Sequence, residues 1–93
     1  MKKRKPEAIL EELEKFVRGL GITLRYERGD FEGGYCVLKE QGMIVINKLA
    51  NTQKRISLLA QSIMEIGVDE KLMDENIKSI IDDEIAKLKI AKE

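Results

Sequence analysis

Residues 22–47 read ITLRYERGDFEGGYCVLKEQGMIVIN, and this stretch decides the fold of the 93-residue chain. Its beginning alternates apolar Ile22, Leu24 and Tyr26 with polar residues, which is the two-residue period of a strand with one buried face. Glycine-containing segments then interrupt the pattern and predict turns. They leave three strand-like runs, at residues 22–28, 35–39 and 43–47. We therefore predict a three-stranded antiparallel meander in the middle of the chain.

Helical patterns flank this stretch on both sides. Residues 6–20 carry an apolar stripe with the period of about 3.6 residues that marks an amphipathic helix. The same period returns after residue 47 and predicts two further helices, at residues 52–66 and 74–90. The candidate N-terminal caps of these two helices are Asn51 or Thr52 and Asp74. The chain is thus predicted to be α+β in the order α-β-β-β-α-α, with helices packed on one face of the sheet.

The basic residues are concentrated at the N-terminus. An uninterrupted basic run consists of Lys2, Lys3, Arg4 and Lys5. Without that run, the rest of the chain has 13 basic and 17 acidic residues, a net charge of −4. We predict a flexible basic arm at residues 1–5 and a single domain at residues 6–93. Because an acidic body repels phosphates, nucleic acid is a disfavoured partner, and binding through the basic arm is kept only as an alternative.

Cysteine content and hydropathy predict a cytoplasmic protein. The single cysteine, Cys36, cannot form an internal disulfide and suits a reducing compartment. No stretch approaches the roughly 18 consecutive apolar residues of a membrane span. No apolar segment follows the N-terminal charges, as a secretion signal would require. We therefore expect no membrane partner.

The absence of histidine narrows the chemistry that this chain can perform. Zinc–histidine sites and histidine-based catalysis are excluded, and Cys36 lacks the usual partner base of a thiol nucleophile. We predict that Cys36 is a small buried residue in the middle of its strand. The glycines at positions 29, 33, 34 and 42 match no phosphate-binding motif and are predicted to serve turns.

The acidic residues near the C-terminus form no metal-binding pattern. Their spacing does not match that of a calcium loop. Asp82, Asp83 and Glu84 point in three directions around the last predicted helix, so we expect them on a solvated face. No cofactor, metal ion or catalytic residue is predicted for this chain.

Two segments are similar to part of a known enzyme family. Residues 42–47, GMIVIN, are joined to residues 55–65, RISLLAQSIME, by a short loop with basic residues. This arrangement resembles the core of the ImmA/IrrE-type metallopeptidases, in which a strand ending I-x-I-N leads into a helix that reads R-x-F-T-L-A-H-E-x-x-H. The matching positions are Ile46, Asn47, Leu59 and Ala60. Residues 26–36 also resemble a segment of short bacterial proteins of unassigned function, Y-E-x-G-D-F-x-G-G-Y-C.

The metal signature of that family is absent from this chain. Gln61 and Glu65 occupy the positions of its two zinc-binding histidines, and Ser62 occupies that of its general-base glutamate. An amide binds zinc poorly, a lone carboxylate cannot hold the ion tightly, and serine is no base at neutral pH. The resemblance therefore implies a scaffold without its catalytic apparatus. Convergence on a common strand-loop-helix pattern is the alternative.

Three functional hypotheses follow. In the first, the chain is not an enzyme but a protein-binding or regulatory module that holds a peptide along an edge strand or self-associates as a homodimer. The missing catalytic residues support it, as does Leu58, which is predicted on an otherwise polar helix face. The identity of the protein partner is not indicated. The second hypothesis is nucleic-acid binding through the basic arm, and the third is an enzyme with carboxylate or Cys36 thiol chemistry.

Overall fold

The computed structural model describes residues 5–31, 33–38 and 41–92. The elements in chain order are α1 (Pro6–Gly19), β1 (Thr23–Glu27), β2 (Gly33–Leu38), β3 (Gln41–Asn47), α2 (Thr52–Ile66), a short 3-10 helix (Glu70–Leu72) and α3 (Glu75–Lys92). The predicted α+β class is confirmed, and the short 3-10 helix is an addition to the predicted order. Of the predicted basic arm, only Lys5 lies within the described residues, and its side chain is exposed.

Local side-chain chemistry sets the ends of the helices. Asn51 caps α2 by accepting a hydrogen bond from the backbone N–H of Lys54 at 2.8 Å. Asp74 does the same at the start of α3, where it accepts from Ile77 at 2.8 Å. Gly67 ends α2 in the left-handed conformation, with a φ of 76° that favours glycine. The predicted caps are confirmed, and Asn51 rather than its neighbour is the cap of α2.

The sheet is mixed, and its strand order is β1-β3-β2. β1 runs parallel to β3, with Leu24 beside Ile44 and Tyr26 beside Ile46, whereas β2 pairs antiparallel with β3. The predicted antiparallel meander is therefore wrong. Alternation of apolar and polar residues identifies the buried face of a strand, but it does not identify the strand's neighbour. The largely apolar β3 takes the central position, where both of its edges are paired.

The hydrophobic core lies between the helices and one face of the sheet. α1 packs on β1, α2 packs on β2 and β3, and α2 also contacts both other helices. On β3, buried Ile44 and Ile46 alternate with half-buried Val45, as a strand with one face against the helices requires. The other most deeply buried aliphatic side chains are Leu13, Val17, Ile56, Leu59, Ala60, Ile63, Ile77 and Ile81. Within the described ranges, no helix is long and apolar enough to cross a membrane.

Candidate functional site

The three positions that the resemblance aligns with the metallopeptidase metal motif lie in the second half of α2 and differ in their exposure to solvent. Ser62 is buried in the core, Gln61 is half-buried, and Glu65 is exposed to solvent. In the part of the chain that the structure describes, no group of three cysteine, aspartate or glutamate side chains could hold a metal ion. Gln61 and Glu65, four residues apart, share a face of α2, whereas Ser62 faces the core, so the three side chains do not converge on one site.

Leu58 lies one helical turn before this motif and belongs to the core. Its predicted position on a polar helix face is wrong, because the side chain is buried. α2 contacts the sheet, α1 and α3 at once, so it buries a wider arc of its surface than a single stripe. Leu58 therefore offers no surface to a partner.

Asn47, the last residue of β3, joins two loops. Its side-chain amide donates hydrogen bonds to the backbone carbonyls of Gly29 at 2.8 Å and Phe31 at 2.6 Å. Its side-chain carbonyl accepts a hydrogen bond from the backbone N–H of Leu49 at 3.0 Å. One side chain thus fixes the loop before β2 and the loop after β3 against each other. Sequence analysis placed Asn47 in a motif but gave it no such function.

Arg55, in the first turn of α2, holds the same loop from the helix side. Its Nε donates to the backbone carbonyl of Ala50 at 2.9 Å, and its Nη2 donates to that of Lys48 at 2.8 Å. The guanidinium also lies 4.6 Å from the ring centroid of Tyr26, within the range of a cation–π interaction. The strand-loop-helix pattern is therefore stabilised by Asn47 and Arg55 through contacts that involve no metal.

Tyr26 connects β1 to both α1 and α2. Its hydroxyl donates a hydrogen bond to the carboxylate of Glu14 on α1. Burial, followed by this hydrogen bond and the charge of Glu14, raises the pKa of the Tyr26 hydroxyl well above its usual value, although Arg55 and Arg18 act in the opposite direction. A proton held this firmly is suited to structural support rather than to transfer near neutral pH.

Glu84 is a buried carboxylate between α2 and α3, with only 5% of its surface exposed. It accepts hydrogen bonds from the Ser57 hydroxyl at 2.8 Å, the Lys87 ammonium at 2.9 Å and the Gln53 amide at 3.3 Å. The predicted solvated face is therefore wrong for Glu84. The helical period of α3 could have predicted the burial of Glu84, because Glu84 lies four residues after buried Ile80 on the same helix face.

Glu84 and its hydrogen-bond donors border a cleft of about 250 Å³. The lining residues are Pro6, Ile9, Gln53, Ile56, Ile80, Asp83, Glu84 and Lys87. Both oxygens of Glu84 already accept hydrogen bonds from groups of this chain. These hydrogen bonds therefore attach α3 to α2. Among the described residues, no second carboxylate contacts Glu84, as the acid–base chemistry of a carboxylate pair would require.

β2 forms one edge of the sheet and contains no charged residue and no proline between Gly33 and Leu38. Cys36 is exposed on this strand, so its predicted place in the core is wrong. Val37 is 60% exposed. Tyr35 pairs with buried Ile44 on the face that packs against the helices, so the next residue, Cys36, lies on the opposite face of the sheet. Gly33 and Gly34 belong to the strand rather than to a turn.

The other edge of the sheet, β1, is charged. Arg25 and Glu27 lie on it and form an ion pair at 2.7 Å. Charged side chains on an edge strand discourage pairing with another chain, whereas an edge strand without charges leaves its unpaired N–H and C=O groups open to an extended segment. The two edges of this sheet therefore differ in their capacity to accept a further strand.

No family model, curated protein or solved structure matches this chain. Its function is therefore inferred from the geometry of its own residues. Among the described residues, β2 is an edge strand without charged side chains, whereas the opposite edge strand, β1, is charged.

Proposed function

We propose that this chain is a non-catalytic protein-binding module whose β2 edge accepts an extended segment of a partner protein as an additional strand. The observation that carries the proposal is the composition of that edge, which has six residues without a charge or a proline. Natural edge strands are usually protected by such residues, and an unprotected edge is the surface used in β-strand addition. We place this interaction in the cytoplasm, since the exposed Cys36 has no cysteine partner in the chain.

The backbone of β2 would supply most of the affinity. In an antiparallel pair, alternate residues direct their N–H and C=O groups away from the partner strand, so about half of the β2 residues face the open edge. Each new backbone hydrogen bond contributes on the order of 0.5–1.5 kcal/mol net. Exposed Val37 and Cys36 alternate between the two faces and would contact alternate side chains of the added strand.

Contacts with α2 and pairing with β3 hold β2 in place before any partner binds. α2 packs against β2, and the full length of β2 pairs with β3 from Gly33 to Leu38. A preformed edge loses little conformational entropy when a strand is added, which favours binding.

The proposal includes a scaffold related to the ImmA/IrrE-type core but without hydrolytic function. In its support, the matched positions Ile46, Leu59 and Ala60 are deeply buried, so the similarity lies in residues that pack the strand against the helix. The unmatched positions Gln61, Ser62 and Glu65 are those that would bind zinc and activate water. We therefore assign this chain a binding function and not peptide hydrolysis.

The test is a selection of short random peptides displayed on phage against the immobilised full chain, followed by affinity measurements. We expect enriched peptides with β-forming residues, and Val37→Lys should weaken their binding about tenfold or more by placing a charge on the edge. Leu72→Lys is the matched control, because Leu72 is 63% exposed but lies on the 3-10 helix away from the sheet. This control variant should bind as the unmodified chain does.

Three outcomes would overturn the proposal. If no peptide is enriched over a blank surface, or if Val37→Lys leaves binding unchanged, β2 is not a binding edge. Light scattering detects the third outcome, self-association. A stable dimer that Val37→Lys dissociates would mean that β2 pairs with a second copy of the chain rather than with a partner peptide.

A further inference from the structure

We propose that the segment bound by β2 carries an acidic side chain beside an apolar one, and that both dock on a loop patch at the end of the sheet where β2 begins. The loop patch consists of Phe31, Lys48, Leu49 and Lys54. This inference rests on the proposed function of β2 and names the chemistry of its partner.

The apolar part of the loop patch is unusually exposed. Leu49 is 77% exposed and Phe31 is 39% exposed, although the chain has only two phenylalanines and a small aliphatic core in which to bury such residues. A shallow cleft of about 230 Å³ lies between them and is also lined by Asn47, Ala50 and Lys54. This space is suited to one apolar side chain of a partner.

The loops that carry these side chains are held in place by hydrogen bonds. Asn47 binds the backbone of Phe31 and of Leu49, and Arg55 binds the backbone of Lys48 from the other side. Exposed apolar side chains on rigid loops do not contribute to the core, but their fixed positions reduce the entropy that is lost when a partner binds. The loop patch is therefore preorganised as a surface.

The charge around the loop patch selects an acidic partner. Residues 41–64 contain three basic residues and no aspartate or glutamate. Lys48 is exposed beside Leu49, Lys54 lines the cleft, and the first turn of α2 has no acidic residue. The neighbouring loop, residues 28–32, contains Asp30 and Glu32 against Arg28 and has a net charge of −1, which only partly offsets the three basic residues. Since opposite charges attract across an interface, an acidic side chain is favoured here.

The loop patch is continuous with the β2 edge. Phe31 precedes the first residue of β2, Gly33, by two positions, and Gly33 pairs with Ile46 next to Asn47. A strand added to β2 that extends past Gly33 therefore reaches Phe31 and the cleft beyond it. One partner segment can make backbone hydrogen bonds with β2 and side-chain contacts with the loop patch.

The probes for the test are the peptides enriched on the full chain by phage selection, with copies in which each Asp or Glu is replaced by Asn or Gln. We expect a surplus of Asp and Glu among the enriched sequences, and about tenfold weaker binding of the neutral copies. Lys48→Glu and Leu49→Ser should each weaken binding about five- to tenfold. Lys71→Glu and Leu72→Ser are the matched controls, since they alter an exposed Lys-Leu pair on the 3-10 helix and should leave binding unchanged.

The outcomes separate this inference from the function on which it rests. If Val37→Lys abolishes binding but Lys48→Glu and Leu49→Ser do not weaken it, the loop patch is not part of the site and only the β2 function stands. If Val37→Lys has no effect, both proposals fail. An enriched set without an acidic surplus also overturns the inference. The inference is also overturned if a random single-stranded DNA oligonucleotide displaces the peptide and if Lys48→Glu abolishes binding of that oligonucleotide. In that case the basic side chains would bind nucleic acid.

Discussion

At the residue scale, three polar side chains organise the junction between the sheet and the helices. Asn47 fixes two loops, Arg55 fixes the loop after β3 to α2, and Tyr26 connects β1 to Glu14 on α1. Each of them satisfies backbone or side-chain groups that would otherwise lose hydrogen bonds to water when the loops pack. The contacts at this junction therefore stabilise the strand-loop-helix arrangement of β3 and α2 without histidine or a metal ion.

The raised pKa of Tyr26 gives a testable dependence on alkaline pH. Because the folded state holds the proton more tightly than the unfolded state, the contribution of Tyr26 to stability is complete below about pH 10 and is lost as the pH rises beyond it. In a Tyr35→Phe variant, Tyr26 is the one remaining tyrosine of two, so tyrosinate absorbance reports on it alone. We expect ionisation above pH 10 in the folded chain. If Tyr26 ionised at the same pH in the folded chain as in denaturant, this would contradict the buried hydrogen bond to Glu14.

The hydrogen bonds of Asn47 predict an unequal cost of two amide substitutions. Asn47→Ala removes three hydrogen bonds to backbone groups and should lower the free energy of unfolding by about 1–2 kcal/mol. Gln61→Ala, in the middle of α2, should change it by about 0.5 kcal/mol or less, as is usual for partly exposed helix positions. Urea denaturation measures both. Equal losses would mean that Gln61 belongs to a polar network as important as that of Asn47.

At the element scale, helix ends follow from sequence more directly than strand neighbours do. The caps at Asn51 and Asp74 act on backbone groups within the next three residues, so a local pattern is sufficient to locate them. The pairing of β1 with β3 joins residues that are 20 positions apart, such as Thr23 and Met43, and no local pattern encodes it. The same limitation explains Cys36, whose exposure follows from its pairing with Met43 on the sheet face away from the helices.

The close approach of β2 to β3 requires glycine at position 33. Gly33 has a φ of 125°, and a Cβ there would meet the backbone of Val45 and approach the Cα of Ile46 to 2.9 Å. Gly33→Ala should therefore lower the free energy of unfolding by about 1–3 kcal/mol. Gly19→Ala in α1 is the control, since a Cβ at Gly19 meets nothing within 4 Å, and it should cause no loss. Equal stability of the two variants would contradict the pairing of Gly33 with Ile46.

Glu84 makes the attachment of α3 to α2 depend on one buried carboxylate. Glu84→Ala removes the acceptor of the Ser57, Gln53 and Lys87 hydrogen bonds and should cost about 2 kcal/mol of unfolding free energy. Asp83→Ala, one residue earlier on the exposed side, should cost about 0.5 kcal/mol or less. Thermal unfolding followed by circular dichroism compares the two. A larger loss of unfolding free energy for Asp83→Ala than for Glu84→Ala would contradict the attachment of α3 through Glu84.

At the scale of the whole molecule, the chain combines an exposed apolar patch with neighbouring lysines at one end of the sheet and a helix α3 whose four acidic and four basic residues balance. The fold class and the helices follow from the sequence because their periods are local. The candidate site does not, because it arises where β2 becomes an edge and where the loops carrying Phe31 and Leu49 meet. Neither position is encoded in a motif. The motif positions Gln61 and Glu65 indicated a different site, and the described residues form no group there that could hold a metal ion.

The measurement that tests the β2 function most directly is backbone amide hydrogen exchange of the full chain, recorded by NMR with and without an enriched peptide. We expect the peptide to slow exchange at alternate residues between Gly33 and Leu38, whose N–H groups face the open edge, and to leave the amides of β1 unchanged. Slowed exchange confined to α2 and α3, with β2 unaffected, would contradict strand addition and place the partner in the helical layer.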